Sequence, residues 1–451
     1  MTKIYLAKWV IPVSSAPIEN GAVAIHGENI VAVATRDTLI DNYPDAPVED
    51  FGIAAIIPGL INCHTHLELT VMRGFLELEE GNFSAWLKKL TIARLEKMNA
   101  DDLSVSATHG AVEAVRAGIT CVADASDAAR ESMTALRNVG LRGIVYQESF
   151  GPDPKLAREN FKSLEEKITS LREFENNRVR VGVSPHAPYT VSAAQLELIS
   201  QFAIAEKVPV MMHAAESEAE AALMLDGSGA FAEGLARRGI EWQAPGMSTI
   251  QYLKAHGILD TRPLLAHCIR VDEEDIELLR ESDARVAHCP KSNAKLSHGR
   301  APFADFLNHD LKVGLGSDSV ASNNTCDILE EVRFAALLSR VGRNEIERRL
   351  VSAEDVLYAA TLGGARALGL DGSVGALKVG SQADMAVVAL DGAHQQPVHD
   401  AVAAIVFASS GRDVRMTMIG GEEVYLNGRV TAVDEQRLGA RVEEISGKFT
   451  C

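Results

Sequence analysis

Between Gly59 and Gly316 the chain runs through eight short apolar segments separated by longer stretches of mixed polarity. The segments are Gly59–Cys63, Ile119–Ala123, Gly143–Tyr146, Val179–Ser184, Val208–Met212, Leu264–Ala266, Arg285–Ala287 and Val313–Gly316. Amphipathic helical patterns accompany them, among them Ala194–Glu206, Glu273–Arg280 and Asp327–Leu338. Parallel strands need a crossover of a dozen or more residues, usually a helix, so this alternation dictates a parallel α/β fold. Eight such units over this length match a (β/α)8 TIM barrel, for which about 250 residues is typical. A doubly wound open sheet is the alternative. It lacks its usual signature here, because neither Gly-x-Gly-x-x-Gly nor a phosphate loop ending in Gly-Lys-Ser/Thr occurs.

The two chain ends have a different texture. Gly21–Ile25 and Asn29–Val33 near the start, and Met385–Leu390, Val402–Phe407 and Val424–Gly428 near the end, read as short strands broken by Gly and Asn. The expected division is residues 1–57 and 376–451 as one small unit, with 58–375 as the barrel. An ordinary balance of 47% hydrophobic and 24% charged residues excludes wholesale disorder. With 44 Lys+Arg against 62 Asp+Glu the formal charge is −18, which argues against a nucleic-acid partner. No apolar run reaches the roughly 18 residues of a membrane span, and Lys3 and Lys8 interrupt the opening stretch, so no membrane association and no secretory leader are expected. The six cysteines form no Cys-x-x-Cys pair and read as reduced thiols of a cytoplasmic protein.

The chemistry-bearing residues gather at strand ends. His64 and His66 follow the first apolar run, His213 and Glu216 the fifth, His267 the sixth, and Asp318 the eighth. Singly, each has a plain structural explanation, such as a helix cap for Asp318 or a helix-dipole partner for Glu216. Together they fall on the C-terminal face of one barrel, where barrel enzymes build their active sites. Several imidazoles with a carboxylate suit zinc, with iron as the alternative, and suit calcium or magnesium poorly. His186, between two prolines at the fourth strand's end, is expected to line the substrate pocket, with His288 and His298 as weaker candidates. His109 and His256 read as structural, and His26, His309, His394 and His399 as surface or capping residues.

The stretches Pro58-Gly-Leu-Ile-Asn-Cys-His-Thr-His66, Ser184-Pro-His-Ala-Pro-Tyr-Thr190, His213-Ala-Ala-Glu216, His288-Cys-Pro-Lys-Ser-Asn293, Gly316-Ser-Asp-Ser-Val-Ala-Ser-Asn-Asn324 and Leu377-Lys-Val-Gly-Ser-Gln-Ala-Asp384 together resemble the amidohydrolase superfamily. The match is to its mononuclear aminohydrolase branch of adenosine-derivative deaminases and triazine hydrolases. The resemblance implies a composite β-sandwich from both chain ends. It also implies one zinc ion on His64, His66, His213 and Asp318, with His267 beside the metal-bound water. Binuclear relatives use a lysine on the fourth strand, and none occurs between Val179 and Thr190. The implied catalytic residues are Glu216, His267 and Asp318. Trp86, Gln147, Glu148, His186 and Asn293 are the implied substrate contacts, and a homodimer or homotetramer is the implied assembly.

The implied reaction is release of ammonia from an amino-substituted N-heterocycle, and the implied small-molecule substrate is a 5′-modified adenosine. Deaminases of S-adenosylhomocysteine and methylthioadenosine carry a ribose-binding Glu where this chain has Ala93, and an arginine where it has Gln147-Glu148. Tyr146-Gln-Glu-Ser-Phe-Gly151 is more similar to deaminases of aminodeoxyfutalosine in menaquinone synthesis. The alternatives are a triazine-type chlorohydrolase or a catalytically inactive scaffold of the same fold. A cytidine-type deaminase is excluded, since His66-Leu-Glu68 has no later Pro-Cys-x-x-Cys.

Overall fold

A computed structural model describes residues 1–341 and 349–449. Eight parallel strands follow one another as the sequence implies: Leu60–Thr65, Ile119–Ser126, Arg142–Ser149, Val179–Pro185, Met211–Ala214, Leu264–His267, Arg285–His288 and Lys312–Leu315. The first four pair in order, as do the last four. A parallel bridge between Val183 and Val210 joins the two sets, and another between Thr65 and Asp318 closes the ring. The chain is a TIM barrel with an additional unit.

Strand alternation explains the two layers of core. Ile61, Cys63, Cys121, Ala123, Ile144, Tyr146, Met211, Leu264, Ala266 and Ala287 form one buried cluster inside the barrel. Their sequence neighbours, including Leu60, Val122, Val145, Met212, Leu265 and Val286, belong to the outer cluster that packs under the helices. The interior has little spare width. A Cβ on Gly182 would sit 2.4 Å from the Tyr146 ring, and one on Gly314 would sit 2.2 Å from Cys63 Sγ.

The additional unit draws on both ends of the chain. Thr2–Val10, Ile18–His26, Asn29–Thr35, Val48–Asp50 and Ala54–Pro58 join Met385–Ala389, Val414–Ile419, Glu422–Leu426 and Arg429–Val430 in a nine-stranded sheet. The join is antiparallel pairing of Ala54–Pro58 with Met385–Ala389. Separate apolar clusters lie around Tyr5, Val23 and Met385 and around Ile4, Leu6 and Leu39, residues of opposite phase on the first strand. Arg142, at the base of the third barrel strand, donates from Nε to Asp384 Oδ2 at 2.8 Å and ties the barrel to this unit.

One expected strand is a helix. Val402–Phe407 lies within the helix Ala401–Ala408, whose N-terminus is capped by the Asp400 side chain accepting from Ala403 N. An unbroken apolar run has no periodicity to separate helix from strand, and the aspartate cap decides it here. Among the described residues, no helix is long and apolar enough to cross a membrane.

Candidate active site

Irregular backbone, as much as strand phase, aims the site residues. His213 continues the inward phase of Met211, and Asp318 that of Gly314 and Gly316. His64 falls out of phase with Ile61 and Cys63, and the strand register shifts between Asn62 and Thr65. His267 falls out of phase with Ala266, and its left-handed backbone (φ 75) turns the ring. Ala215, Cys268 and Asp318 also have positive φ, at 51, 46 and 59. Non-glycine residues in this region cost about 1–3 kcal/mol each and cluster where surrounding structure enforces function.

These turns bring the expected residues together. Ligand atoms of His64, His213, His267 and Asp318 lie within 4.8 Å of one another. His66 joins them, its Nε2 3.3 Å from His213 Nε2 and 3.6 Å from Asp318 Oδ1. The hydrogen bonds on the far side of each ring fix its tautomer. His213 Nδ1 donates to the His186 carbonyl at 2.9 Å, His267 Nδ1 to Asn293 Oδ1 at 2.8 Å, and His66 to the Ala125 carbonyl. The Nε2 lone pairs of His66 and His213 therefore face each other. His64 Nε2 and His267 Nε2 are buried without a hydrogen-bond partner. Converging lone pairs and orphaned ring nitrogens beside a carboxylate are a donor set that a zinc-like cation satisfies.

The electrostatics agree with this. Burial pushes His64 down to about 4 and His213 well below its ordinary value, so both rings are neutral and keep a lone pair free. Burial opposes charge on Asp318, but His64, His267 and His66 outweigh it and hold the carboxyl well below the usual range. Its Oδ2 also accepts from Ser292 at 2.6 Å and Ser322 at 3.1 Å, and Oδ1 from the Ser319 amide at 2.6 Å.

Glu216 behaves differently from Asp318. Burial raises its pKa to about 7, although His267 pulls the other way. Its Oε1 lies 3.6 Å from both His267 Nε2 and His298 Nε2, so His298 belongs to the site. An aromatic roof covers this side. His298 meets Phe83 edge-on at 4.4 Å, and Phe231 stacks on Tyr189 at 4.0 Å between ring centroids. His288 is buried on Phe303 instead, at 5.0 Å.

The expected substrate contacts divide. Glu148 continues the inward phase of Ile144 and Tyr146, and its carboxyl lies within 4.8 Å of the His186 and His213 ring nitrogens. Burial, with Glu68 and Asp127 nearby, pushes Glu148 well above the ordinary carboxylate range. Gln147, on the outward phase, gives its amide to the backbone carbonyls of Asp127 and Glu148, both at 3.0 Å. His186 Nδ1 pairs with Thr190 Oγ1 at 2.9 Å. Asn293 orients His267 through its oxygen, while its amide nitrogen and the Trp86 indole nitrogen are buried and unpartnered. Ala93 is buried in the apolar cluster around Trp86, and Arg94 beside it binds Glu68. Glu68, Arg94, Ser292 and Tyr189 are the residues that sequence reasoning passed over. Glu68, two residues beyond His66, and Ser292, inside a quoted motif, were within its reach.

A model of the amidohydrolase family matches residues 55–424. A 5-methylthioadenosine/S-adenosylhomocysteine deaminase of Nitratidesulfovibrio vulgaris (strain DP4) is 32% identical over 418 residues, covering 92% of this chain and 90% of the relative. The crystal structure of an adenosine deaminase from Xanthomonas campestris with bound zinc superposes with a TM-score of 0.85 at 27% identity, covering 99% and 98% of the two chains. Helicobacter pylori aminofutalosine deaminase, solved with methylthio-coformycin, has a TM-score of 0.79 at 23% identity and covers 94% of this chain and 100% of its own.

Proposed function

The chain belongs to the amidohydrolase family, and from that premise we propose that it is a metal-dependent hydrolytic deaminase of 5′-modified adenosine derivatives. The observation that carries this reading is a buried acid, Glu216, raised to about 7 and 3.6 Å from His267, at the edge of a cluster of metal-ligand type. Hydrolysing a ring carbon–amine bond needs a proton donor for the adjacent ring nitrogen, and a carboxyl poised near neutrality is suited to it.

His64, His66, His213 and Asp318 are the proposed ligands of one ion. His66 is preferred to His267 because its Nε2 faces His213 and Asp318, whereas His267 Nε2 faces Glu216. Zinc held there would supply water of lowered pKa at neutral pH. Asp318, kept ionised by its histidine neighbours and served by two serine hydroxyls, takes the proton of the attacking water. Glu216 gives its proton to the ring nitrogen next to the amine-bearing carbon, so negative charge does not accumulate in the heterocycle. His267, locked by Asn293, orients the attacking oxygen. Asp318 passes the water proton on to the amine, ammonia departs, the proton left on the attacking oxygen restores Glu216, and the oxygen of water replaces the amine. His186 and Glu148 are the proposed contacts to the rest of the nucleoside.

The 32%-identical relative supports methylthioadenosine and S-adenosylhomocysteine as candidate substrates, and aminodeoxyfutalosine is the third candidate. Ammonia release should be measured against these three, free purine bases, pterins, pyrimidines and triazines. Nucleosides should give the highest kcat/KM. A free base or a triazine that surpasses every nucleoside would reduce the reading to aminohydrolase alone.

A further inference from the structure

His298 lies against Glu216 and has no part in the chemistry above. The ring is buried, and its Nε2 has no hydrogen-bond partner although Glu216 Oε1 is 3.6 Å away. The backbone is bent to put it there. Ser297 before it and Gly299 after it have φ of 58 and 109, the first in the left-handed region that a serine rarely adopts. The His298 amide is held by the Asn293 carbonyl at 2.9 Å, and the Asn293 side-chain oxygen accepts from His267 Nδ1 at 2.8 Å. Both imidazoles that face Glu216 are thus mounted on one residue. Lys295, three residues earlier, pairs with Glu77 at 2.9 Å and Glu80 at 2.6 Å, which pins this stretch of chain. Packing on Phe83 does not by itself account for an imidazole here. An apolar side chain would fill the same space without burying an unpaired nitrogen.

The two nitrogens at Oε1 are not equivalent. His267 has its ring hydrogen on Nδ1, so its Nε2 offers Oε1 a lone pair and no hydrogen. Burial holds His298 down to about 4, so that ring is neutral and carries one hydrogen. The Tyr189 hydroxyl also bonds the carboxyl. We propose that His298, with its hydrogen on Nε2, positions Glu216 by donating to Oε1. That bond fixes the plane of the carboxyl, and with it the direction in which the acid hydrogen reaches the substrate's ring nitrogen. The separation of 3.6 Å is longer than a hydrogen bond and closes to one in the substrate complex, as catalytic contacts commonly do. The inference rests on the deaminase reading above and adds a residue to it.

The test replaces the ring in the metal-loaded enzyme, with methylthioadenosine, S-adenosylhomocysteine and aminodeoxyfutalosine as probes. His298→Phe keeps a ring on Phe83 and removes the hydrogen, whereas His298→Gln carries an amide N–H to the place of Nε2. His298→Phe should lose on the order of 10²-fold in kcat, the effect of misplacing a reacting group by about 1 Å, while KM stays within about threefold. His298→Gln should recover about tenfold of that loss at equal metal content. In a Glu216→Gln background, His298→Phe should cost no more than about twofold further, because no acid is left to position. Full activity in His298→Phe overturns the inference. Equal losses in the two His298 variants overturn it too, by making the effect one of packing. A rise in KM at constant kcat assigns His298 to substrate contact instead, and additive losses in the double variant show that it does not act through Glu216; either result sinks the proposal. If Glu216→Gln alone retains the wild-type rate, or none of the three nucleosides releases ammonia, the deaminase reading fails first and takes this inference with it.

Discussion

Glu216 and His213 are three residues apart, yet their substitutions should separate cleanly. His213→Ala removes a nitrogen that faces His66 at 3.3 Å and should strip most of the metal, read by atomic absorption on the purified protein. Glu216→Gln keeps the donor set intact and should keep the metal while losing on the order of 10²–10⁴-fold in kcat, the usual range for a general acid. Metal loss in the second variant, or full occupancy in the first, would exchange the roles assigned to the two residues. The contrast rests on environment. Asp318 sits among imidazoles and serine hydroxyls that favour its charge, whereas burial of the Glu216 carboxyl outweighs the pull of His267 and of a hydrogen bond from Tyr189.

At the scale of the element, the closing seam of the barrel is the tightest constraint. Gly314 on the eighth strand faces Cys63 on the first, and an added Cβ would stand 2.2 Å from Sγ and 2.9 Å from Gly364 Cα. Overpacking of this kind typically costs about 1–3 kcal/mol, so Gly314→Ala should lower the unfolding free energy from denaturant titration by an amount in that range. Adding Cys63→Ala removes the nearer clash and should restore part of the loss. Two independent, additive losses would show that the strands do not touch as described. Strand phase was legible in the sequence at this scale: alternation places Glu148 inward and Gln147 outward. It does not account for His64 and His267, which reach the centre through a register shift and a left-handed residue.

At the scale of the whole molecule, the Arg142–Asp384 pair links two units built from distant parts of the chain. Both side chains are buried, Arg142 also donates from Nη2 to Asp384 Oδ1 at 3.1 Å, and Asp384 accepts from the Gly420 amide at 2.7 Å. Breaking a buried pair strands one charge and typically costs about 3–5 kcal/mol. Asp384→Asn should therefore lower the thermal midpoint strongly in the metal-loaded enzyme. A change of under about 1 kcal/mol would mean that solvent reaches the guanidinium. The all-apolar Val402–Phe407 stretch shows what pattern alone leaves open at this scale, since helix and strand would bury it equally well until Asp400 caps it.

By itself the sequence determined the parallel barrel, the strand ends that carry histidines and Asp318, and the set of residues that converge there. Those follow from local period and from chain order, which the covalent chain carries. Tertiary structure decided which side chains share a wall and what each one feels. Glu68, Arg94, Asp127 and Glu148 meet across three strand ends and a helix, and His298 reaches Glu216 from another loop. Burial and the distance between charges set their protonation and pairing, and those quantities exist only once the barrel is closed.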